Sequence, residues 1–525
     1  MKILRRLTEL QHQRGHLDDA TLRELARELN VPLYRLEGLV SFYPAFRRTP
    51  TPQSEVHVCR DVVCLMRRDA QSDARQSQLV AAAEVTEVSC LGRCDCAPAA
   101  MVDHEPTSPL TLHDDWSDMA EPPVETRTFQ CDPYKNGTPY QSVQSLASSI
   151  VSLREKCVQE LTASGLRGMG GAGFPTGRKW ELVAAEPVAP KYVICNADES
   201  EPGTFKDRVI LEQLPHLVLE GMVLAGLSIG AESGIVYLRH EYTRERRILE
   251  RAIHRARELG VLGDNAAGSG KRFDVEIFVS PGGYILGEET ALLEALEDKR
   301  GEPRNKPPYP GTHGLWGKPT LINNVESFAM ATSIVSHDAD WWKAQGVSSH
   351  AGLKFVCISG DVENPGVWEV PMGTTVDSLI EMAGGMKDGR PLKAFLPGGA
   401  SSNFLTARHA DTPMDFDAMR DVGSMMGTGA LIVMAEGRDL FALATNLVKF
   451  FRNESCGKCV PCRVGSEKAV GLLEAASAES SAANELQLLP ELGDTLEQTS
   501  ICGLGQVALN PILSMMQHFP EEIPS

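Results

Sequence analysis

Three cysteines spaced by two residues near the C-terminal end of the chain are its clearest chemical signal. Cys456, Cys459 and Cys462 form a C-x-x-C-x-x-C motif, and a fourth thiol follows at Cys502. Three thiolates at this spacing can wrap one cluster and a distant fourth can close it, which favours a [4Fe–4S] centre. Tetrahedral zinc is the alternative for four cysteines, although zinc sites more often use paired C-x-x-C units.

A second group of cysteines lies in the N-terminal part of the chain. Cys59 and Cys64 form one pair, and Cys90 and Cys94 form another. The two pairs can meet across a small fold and bind a [2Fe–2S] cluster. The competing interpretation is that these are simply buried thiols, and Cys96 adds a further thiol; we favour the cluster. The remaining cysteines have no partner at a ligand spacing and are predicted to be structural thiols: Cys131, Cys157, Cys195 and Cys357.

A glycine-rich loop followed by a cation indicates a phosphate site. The loop occupies residues 168–173, and Lys179 follows it closely. Glycines let the backbone approach a phosphate and point its N–H groups inward. Alone this signal is weak, because glycine clusters are usually turns. It is followed by an acidic segment at 195–207, a second glycine-containing segment at 282–290, and polar segments at 306–310 and 317–326.

Taken together, these segments resemble the flavin subunit of the peripheral arm of respiratory complex I, from about residue 160 to the C-terminus. The N-terminal part, with its four cysteines, resembles the thioredoxin-like [2Fe–2S] subunit of the same arm, so the two are fused here. Such fusions occur in NAD-linked formate dehydrogenases and in NAD-reducing hydrogenases. The resemblance implies four cofactors, FMN, NAD, a [4Fe–4S] cluster and a [2Fe–2S] cluster, with the flavin supplying the redox chemistry.

The resemblance also implies a role for each matching residue. Glu201 and Glu289 would be the catalytic acids, and both would contact the dinucleotide. The dinucleotide would also meet Phe174, by stacking on adenine, Lys306, at the pyrophosphate, and Tyr309. The flavin and its phosphate would be held by Gly168, Gly170, Gly171, Gly173, Lys179, Asn196, Asp198, Glu199, Tyr284, Gly287, Glu288, Asn323 and Asn324.

Three departures from the family pattern accompany this match. Leu182 stands where the family often has a second aromatic residue that packs on adenine. Leu286 replaces a small or thiol residue beside the flavin. After Cys94 the chain is predicted to lack the strand and helix that complete a thioredoxin-like fold, so we expect a trimmed domain there.

The predicted fold class is a multidomain α/β protein. It combines an N-terminal helical region with a trimmed thioredoxin-like domain, a Rossmann-like domain for FMN and NAD, a β-grasp domain resembling SLBB modules, and a C-terminal helical bundle that carries a cluster. Asp18 or Asp19 is predicted to cap an N-terminal helix, and Thr375 a helix that ends at Gly384 and Gly385. The predicted boundaries are 1–50, 51–105, a linker at 106–145, 146–350, 351–435 and 436–525.

Charge and hydropathy exclude two classes of partner. Asp and Glu total 70 against 51 Lys and Arg, a net charge of -19, and such a surface repels nucleic-acid phosphates. No segment offers the roughly 18 uncharged apolar residues of a spanning helix, since the best stretch, 214–229, contains His216 and Glu220. Arg5 and Arg6 are not followed by the apolar region of an export signal. We predict a cytoplasmic protein without a nucleic-acid or membrane partner.

The resemblance also predicts the kind of complex to which the chain contributes. The first hypothesis is a formate dehydrogenase, whose catalytic subunit would carry a molybdenum or tungsten pterin and further iron–sulfur clusters. A nickel–iron hydrogenase is the second and complex I itself the third. A zinc-bound scaffold that has lost its flavin is the alternative from a different class, and the intact flavin motifs argue against it.

Overall fold

The computed structural model describes residues 2–50, 55–69, 84–102, 105–107, 126–134, 138–478 and 480–524. Within these residues the strands form three sheets, of four, five and four strands. Most of the predicted linker at 106–145 lies outside the described residues. The predicted domain boundaries stay predictions, although the order of helices and sheets follows the expected series.

Three amphipathic helices open the chain: Lys2–Arg14, Asp19–Leu29 and Leu33–Val40. The second begins as predicted, because the Asp18 carboxylate accepts a hydrogen bond from the Thr21 N–H at 2.8 Å and so satisfies a free donor of the first turn. This region is attached to the flavin domain far along the chain. The Leu4 N–H donates to Asp298 at 3.0 Å, and the Tyr43 hydroxyl donates to the Lys299 carbonyl at 2.5 Å.

The first sheet has the strand order β2-β1-β3-β4 and carries the N-terminal cysteines. Its strands are β1 (Glu55–Cys59), β2 (Glu84–Val88), β3 (Ala100–Val102) and β4 (Glu105–Thr107), and the helix Val62–Arg67 follows β1. The prediction that no strand follows Cys94 is therefore wrong. β3 pairs antiparallel with β1 and with β4, and three-residue strands are too short to give a recognisable alternating pattern.

The second sheet is fully parallel, with the order β7-β6-β5-β8. Its strands are β5 (Tyr192–Ala197), β6 (Ser233–Leu238), β7 (Asp274–Val279) and β8 (Thr320–Asn324). The first strand in sequence therefore lies beside the last, and the strand order reverses between β5 and β8. In such sheets the crevice beyond the carboxyl ends at this reversal is where ligands bind. The helices of this domain are Gln141–Leu146, Ile150–Ser164, Thr176–Ala185, Lys206–Gln213, Pro215–Ile229, Thr243–Glu258, Glu289–Leu296, Pro310–His313, Val325–Ser336 and Ala339–Ala344.

The third sheet is mixed and has the order β10-β9-β13-β11-β12. Its strands are β9 (Leu353–Gly360), β10 (Gly366–Pro371), β11 (Leu392–Leu396), β12 (Leu405–Thr406) and β13 (Ala430–Ala435), with helices Val376–Met382 and Phe416–Asp421. The predicted cap is confirmed, since Thr375 accepts a hydrogen bond from the Ser378 N–H at 3.3 Å. Gly384 and Gly385 follow the helix with φ of +85° and +86°, as a helix terminus in the left-handed region requires.

Five helices close the chain: Leu440–Asn453, Val460–Ala478, Leu489–Thr499, Gly503–Val507 and Asn510–His518. Gly465 permits their close packing, because a Cβ there would lie 2.4 Å from the Leu496 side chain. In the part of the chain that the structure describes, no single helix has the length and apolar composition to cross a membrane. The helices Lys206–Gln213 and Pro215–Ile229 meet that test only as a pair bent by 93°.

Candidate functional site

The glycine-rich loop lies against the carboxyl end of β8. The Gly168 N–H donates to the Phe174 carbonyl at 2.9 Å, which closes the loop. A Cβ on Gly170 would lie 3.1 Å from the Cβ of Asn324, so a side chain here would require the two segments to move apart by a few tenths of an ångström. The Asn324 amide donates to Asp207 at 2.6 Å, which fixes its orientation. The structure therefore brings Gly168, Gly170 and Asn324 together at the reversal of strand order.

Gly171 and Gly173 give this loop the shape of a cradle. Their φ angles are +108° and +63°, which disfavours other residues. A Cβ on Gly171 would have no described atom of another segment nearer than 3.9 Å, whereas one on Gly173 would lie 3.1 Å from the Phe416 ring. The Gly171 backbone is thus within ordinary van der Waals distance of Gly427 and Thr428, and glycines in such a loop let the backbone closely approach a bound group such as the FMN phosphate.

Lys179 is positioned on the helix that follows the loop. Its ammonium donates to the Ile322 carbonyl of β8 at 3.0 Å and lies 5.9 Å from the centre of the Phe174 ring. Burial lowers the pKa of Lys179. On the next residue, the Trp180 indole donates to the Asn323 side chain at 3.3 Å. Lys179 and Asn323 therefore meet at the same strand end as the glycine loop.

A second strand end, that of β5, supplies Asn196, Asp198 and Glu199. The Asn196 amide donates to the Gly287 carbonyl at 2.8 Å, and its oxygen accepts from the Asp198 N–H at 3.2 Å. Burial raises the pKa of Asp198 to about 6. Burial, followed by the nearby Asp207, raises the pKa of Glu199 to about 7. Both carboxyls consequently favour their neutral form more than exposed acids do.

The segment around Tyr284 connects the flavin domain to the C-terminal helices. The Tyr284 N–H donates to the Glu454 carboxylate at 2.7 Å. Its ring packs edge-on against Phe450 with 5.0 Å between centroids. Glu454 lies two residues before Cys456, so this contact ties the candidate flavin site to the beginning of the cysteine motif.

Glu288, Glu289 and Lys306 form a charged group at a more open part of the site. Glu288 caps the helix Glu289–Leu296, because its carboxylate accepts from the Thr290 and Ala291 N–H groups at 2.8 and 2.9 Å. The Lys306 ammonium pairs with Glu288 at 2.7 Å and with Glu289 at 3.1 Å. Burial lowers the pKa of Lys306, but its attraction to Glu289 and Glu288 outweighs this, and the net direction is upward.

Glu201 lies between the flavin domain and the β-grasp domain. Its carboxylate accepts from the Ser401 N–H at 2.6 Å, and a Cβ on Gly399 would lie 2.9 Å from the Glu201 side chain. Burial raises the pKa of Glu201 even though the hydroxyls of Tyr284 and Ser401 donate to it. Glu201 is buried at this connection between domains. Its predicted contact with the dinucleotide stays a prediction.

Large apolar side chains are exposed on neighbouring segments. Phe174 is 45% exposed, Leu182 45% and Tyr309 60%. Phe174 and Leu182 flank the Lys179 turn, and Tyr309 precedes the helix Pro310–His313, which packs on the helix Thr176–Ala185. These surfaces are available for a planar ligand, as aromatic stacking requires.

The C-terminal cysteines converge at a turn between helices. Cys456 and Cys459 lie between the helices Leu440–Asn453 and Val460–Ala478, Cys462 lies in the first turn of the second, and Cys502 precedes Gly503–Val507. A Cβ on Gly505 would lie 3.0 Å from that of Cys462, which brings the Cys502 segment against the motif. Burial raises the pKa of Cys462 to about 11 and that of Cys502 to about 12, so cluster binding must remove their protons.

The N-terminal cysteines form a buried group. Cys59 is within hydrogen-bonding reach of Cys64 and Cys90, and the Cys90 and Cys94 sulfurs are 3.7 Å apart. The Cys64 sulfur also accepts from the Ala99 N–H at 3.4 Å. This donor set fits an iron–sulfur cluster, whose thiolates surround several iron atoms. Among the described residues, no His, Cys, Asp or Glu group of three or more is arranged to hold a single metal ion.

Sequence reasoning missed three residues that hold the site together. The Ser327 hydroxyl accepts from the Met169 N–H at 2.9 Å and supports the glycine loop. Arg239 and Glu454 connect the candidate sites to each other. Each is an isolated residue whose role depends on segments far away in the chain, so no local pattern marks it.

Four family models match the chain. They describe a Nuo51 FMN-binding domain at 161–333, an NADH-ubiquinone oxidoreductase-F iron-sulfur binding region at 442–525, a thioredoxin-like [2Fe-2S] ferredoxin at 1–115 and an SLBB domain at 355–402. These matches confirm the predicted fold class, FMN and the two kinds of cluster. The assignment of individual residues to these cofactors stays a prediction.

Two curated relatives that match nearly three quarters of the chain, and one solved structure that matches almost all of it, are similar to this protein. The F subunit of NADH-quinone oxidoreductase from Escherichia coli is 41% identical over 396 residues, which are 74% of this chain and 88% of that protein. NADP-reducing hydrogenase subunit HndC of Solidesulfovibrio fructosivorans is 41% identical over 380 residues, 72% of this chain and 77% of that protein. A chain of the NAD+-reducing [NiFe]-hydrogenase in the H2-reduced state superposes with a TM-score of 0.86 at 31% identity, covering 99% of this chain and 91% of that one.

Proposed function

We propose a partner and residue roles for this chain from one premise: it belongs to the family of the F subunit of NADH-quinone oxidoreductase. It is an NADH-oxidising flavoprotein that transfers electrons as one component of a larger complex, of the complex I or NAD-reducing hydrogenase type. When bound, FMN exchanges a hydride with the nicotinamide and passes electrons singly to iron–sulfur clusters.

The protein would hold FMN where the two strand ends meet. The 168–173 loop would bind the phosphate with its N–H groups, and Lys179 would supply a cation beside it. The flavin ring would lie among Asn196, Asp198, Glu199, Tyr284, Gly287, Glu288, Asn323 and Asn324. The observation that supports this is the position of the loop: Gly170 packs against Asn324 at the end of β8, and Gly171 and Gly173 both have positive φ.

The dinucleotide would bind at the open part of the site. Phe174 would stack on the adenine, and Tyr309 would add a second exposed aromatic surface. Lys306, held by Glu288 and Glu289, would meet the pyrophosphate. Glu201 would orient the nicotinamide half, and Glu289, which pairs with Lys306, would orient the ribose hydroxyls of the adenosine half.

Electrons would leave through the cysteine sites. Cys456, Cys459, Cys462 and Cys502 would hold the [4Fe–4S] cluster, and Cys59, Cys64, Cys90 and Cys94 the [2Fe–2S] cluster. Their thiolates are suited to iron–sulfur ligation. Because the chain binds no second substrate in this scheme, both clusters are useful only in contact with another redox subunit.

The partner that we propose is the molybdenum- or tungsten-pterin subunit of a cytoplasmic formate dehydrogenase with further iron–sulfur clusters. The fusion argues against complex I, where the two subunits are normally separate chains, and the observation on which the choice of formate rests is that all four N-terminal cysteines are retained and buried. The step from this architecture to formate is an analogy between family members. The thirteen free cysteines support a reducing compartment.

A nickel–iron hydrogenase is the second candidate partner. It is favoured by the superposition that covers 99% of this chain, because the matched chain comes from an NAD+-reducing [NiFe]-hydrogenase. In both candidates the roles proposed for the flavin and the clusters are the same.

Metal analysis of the intact complex distinguishes the two candidates. Molybdenum or tungsten together with formate-dependent NAD reduction would support the formate proposal. Nickel, with neither of those metals and with hydrogen-dependent NAD reduction, would contradict it. The isolated chain should oxidise NADH with ferricyanide yet reduce no NAD from formate, since it contains no formate site in this scheme.

A further inference from the structure

One buried arginine contacts both the N-terminal cysteine loop and the candidate flavin site. Arg239 follows β6, and 2% of it is exposed. Its guanidinium donates to the Cys90 carbonyl at 2.6 Å and to the Glu199 carbonyl. It also donates twice to the Glu241 carboxylate, at 2.8 and 2.9 Å. This bidentate pairing fixes the plane of the guanidinium.

The cysteine loop packs directly on this arginine. Gly92, with φ of +68°, lies so close that a Cβ there would be 2.6 Å from the Tyr242 hydroxyl and 3.1 Å from Arg239 Nη1. The Tyr242 hydroxyl in turn donates to the Glu199 carboxylate at 2.8 Å. The loop between Cys90 and Cys94 is therefore in contact with a network that ends at Glu199.

The buried positive charge of Arg239 is expected to affect the reduction potential of a cluster bound by the N-terminal cysteines. Reduction adds one electron, delivered from NADH through FMN, and makes a cluster more negative by one charge. In a buried environment a neighbouring cation favours the more negative state, because the Coulomb interaction is weakly screened. Hydrogen bonds and charge around a cluster are known levers on its potential. Glu241 offsets part of the charge, but the guanidinium is the end of the pair that contacts Cys90.

We propose that Arg239 is a positioning residue that fixes the Cys90 ligand loop against the flavin site and raises the reduction potential of the N-terminal cluster. This inference rests on the proposed assignment of Cys59, Cys64, Cys90 and Cys94 to a [2Fe–2S] cluster. It differs from a purely structural role, since it depends on the sign of the charge as well as on packing.

The test is a redox titration of the [2Fe–2S] signal, followed by electron paramagnetic resonance in the FMN-loaded protein. Arg239→Gln should lower the midpoint potential, so that NADH reduces a several-fold smaller fraction of this cluster. Arg239→Lys keeps the charge and should retain most of the wild-type potential. Arg257→Gln breaks an ion pair with Asp274 at the other end of the helix Thr243–Glu258 and should leave the potential unchanged.

A second variant keeps the inference testable if Arg239→Gln does not assemble the cluster. Glu241→Gln leaves the guanidinium uncompensated and should shift the potential upward. An unchanged potential in both Arg239→Gln and Glu241→Gln, or in whichever assembles its cluster, would overturn the inference. Absence of any [2Fe–2S] signal in the wild-type protein would instead refute the cluster assignment, which separates the two failures.

Discussion

The N-terminal and C-terminal cysteine groups differ in their surroundings. All four N-terminal cysteines are buried, whereas only Cys462 is buried among the C-terminal four. The N-terminal group is docked on the flavin domain by buried charges, including the Arg208–Asp95 pair at 2.6 Å. The C-terminal group lies at helix ends next to Val460 and Val464, which are 59% and 56% exposed. We call the buried surroundings of the N-terminal group the closed side and the more exposed surroundings of the C-terminal group the open side, and exposure suits electron exchange with another subunit.

The residues of the candidate flavin site also differ in how exposed they are. Asp198 and Glu199 belong to the closed side, and burial raises the pKa of both. Glu288, Glu289 and Lys306 belong to the open side, where the Lys306 and Glu289 side chains are 29% and 30% exposed. Substitutions on the closed side should therefore affect assembly and titration, and those on the open side should affect exchange with ligands and partners.

The largest expected effect is loss of the flavin, because both cysteine groups receive their electrons from it in the proposed scheme. Gly171→Val should abolish FMN binding and leave both clusters in place, because a branched side chain at a φ of +108° would strain the loop and displace the backbone from the proposed phosphate. Gly230→Val is the matched control, since Gly230 also has a positive φ, +78°, and an added Cβ would meet nothing within 4 Å. Flavin and iron content of the two purified variants measure this. Stoichiometric FMN in Gly171→Val would contradict the placement of the phosphate.

The next test addresses the open side. Cys502→Ala removes one thiolate of the proposed [4Fe–4S] centre, so the variant should lose about four irons or retain a damaged cluster. NADH should still bleach the flavin, while electron delivery to the partner should fall sharply. Cys157→Ala, at a buried thiol outside both groups, is the control. Iron content equal to that of the control would refute the assignment.

On the closed side, Cys59→Ala should remove about two irons and the [2Fe–2S] signal. The [4Fe–4S] signal should persist, because the two cysteine groups lie on different elements. Electron paramagnetic resonance of the NADH-reduced protein measures both. Loss of both signals together would show that assembly of the [4Fe–4S] cluster depends on the N-terminal cysteine group. It would contradict the separation of the closed side from the open side.

A site could be predicted from the sequence where its residues lie close together in the chain, and less well where they come from distant segments. Cys456, Cys459 and Cys462 share one turn, so their spacing alone indicates their chemistry. The two N-terminal pairs come together only through the fold, which left buried thiols as an alternative. Strands β3 and β4 were missed because they have three residues each. Arg239 and Glu454 were missed because single charged residues without a motif usually indicate a solvated surface.

Some predicted residues also have roles that their sequence context did not indicate. Glu288 caps a helix although glutamate is not among the preferred capping residues, and its side chain simply reaches the first turn. Glu201 contacts the β-grasp domain through Ser401, a contact between residues 200 positions apart. Such long-range partners depend on domain packing, which the pattern of a single segment cannot specify.

A smaller effect is expected at the open dinucleotide site. Glu289→Gln should raise the KM for NADH by about fivefold, equivalent to about 1 kcal/mol, and reduce the preference for NADH over NADPH, because an acid here would repel a 2′-phosphate. Glu294→Gln is the control, since Glu294 pairs with Arg304. Steady-state kinetics with both dinucleotides measure this. Equal kcat/KM for NADH and NADPH in the wild-type protein would refute the proposed preference.

The smallest effect concerns titration on the closed side. Burial raises the pKa of Asp198 from 3.8 to about 6. Between these values the folded protein binds more protons than the unfolded chain, so this residue makes stability fall as pH rises, and the cost is complete above the folded pKa. Asp198→Asn cannot ionise, so relative to the wild type it should gain up to about 3 kcal/mol between pH 4 and pH 7. Urea unfolding of the FMN-free protein at both pH values measures the difference, with the exposed Asp411→Asn as the control for lost charge. A difference that does not change with pH would show that Asp198 titrates like an exposed acid, and the closed side would then be more accessible to water than its packing indicates.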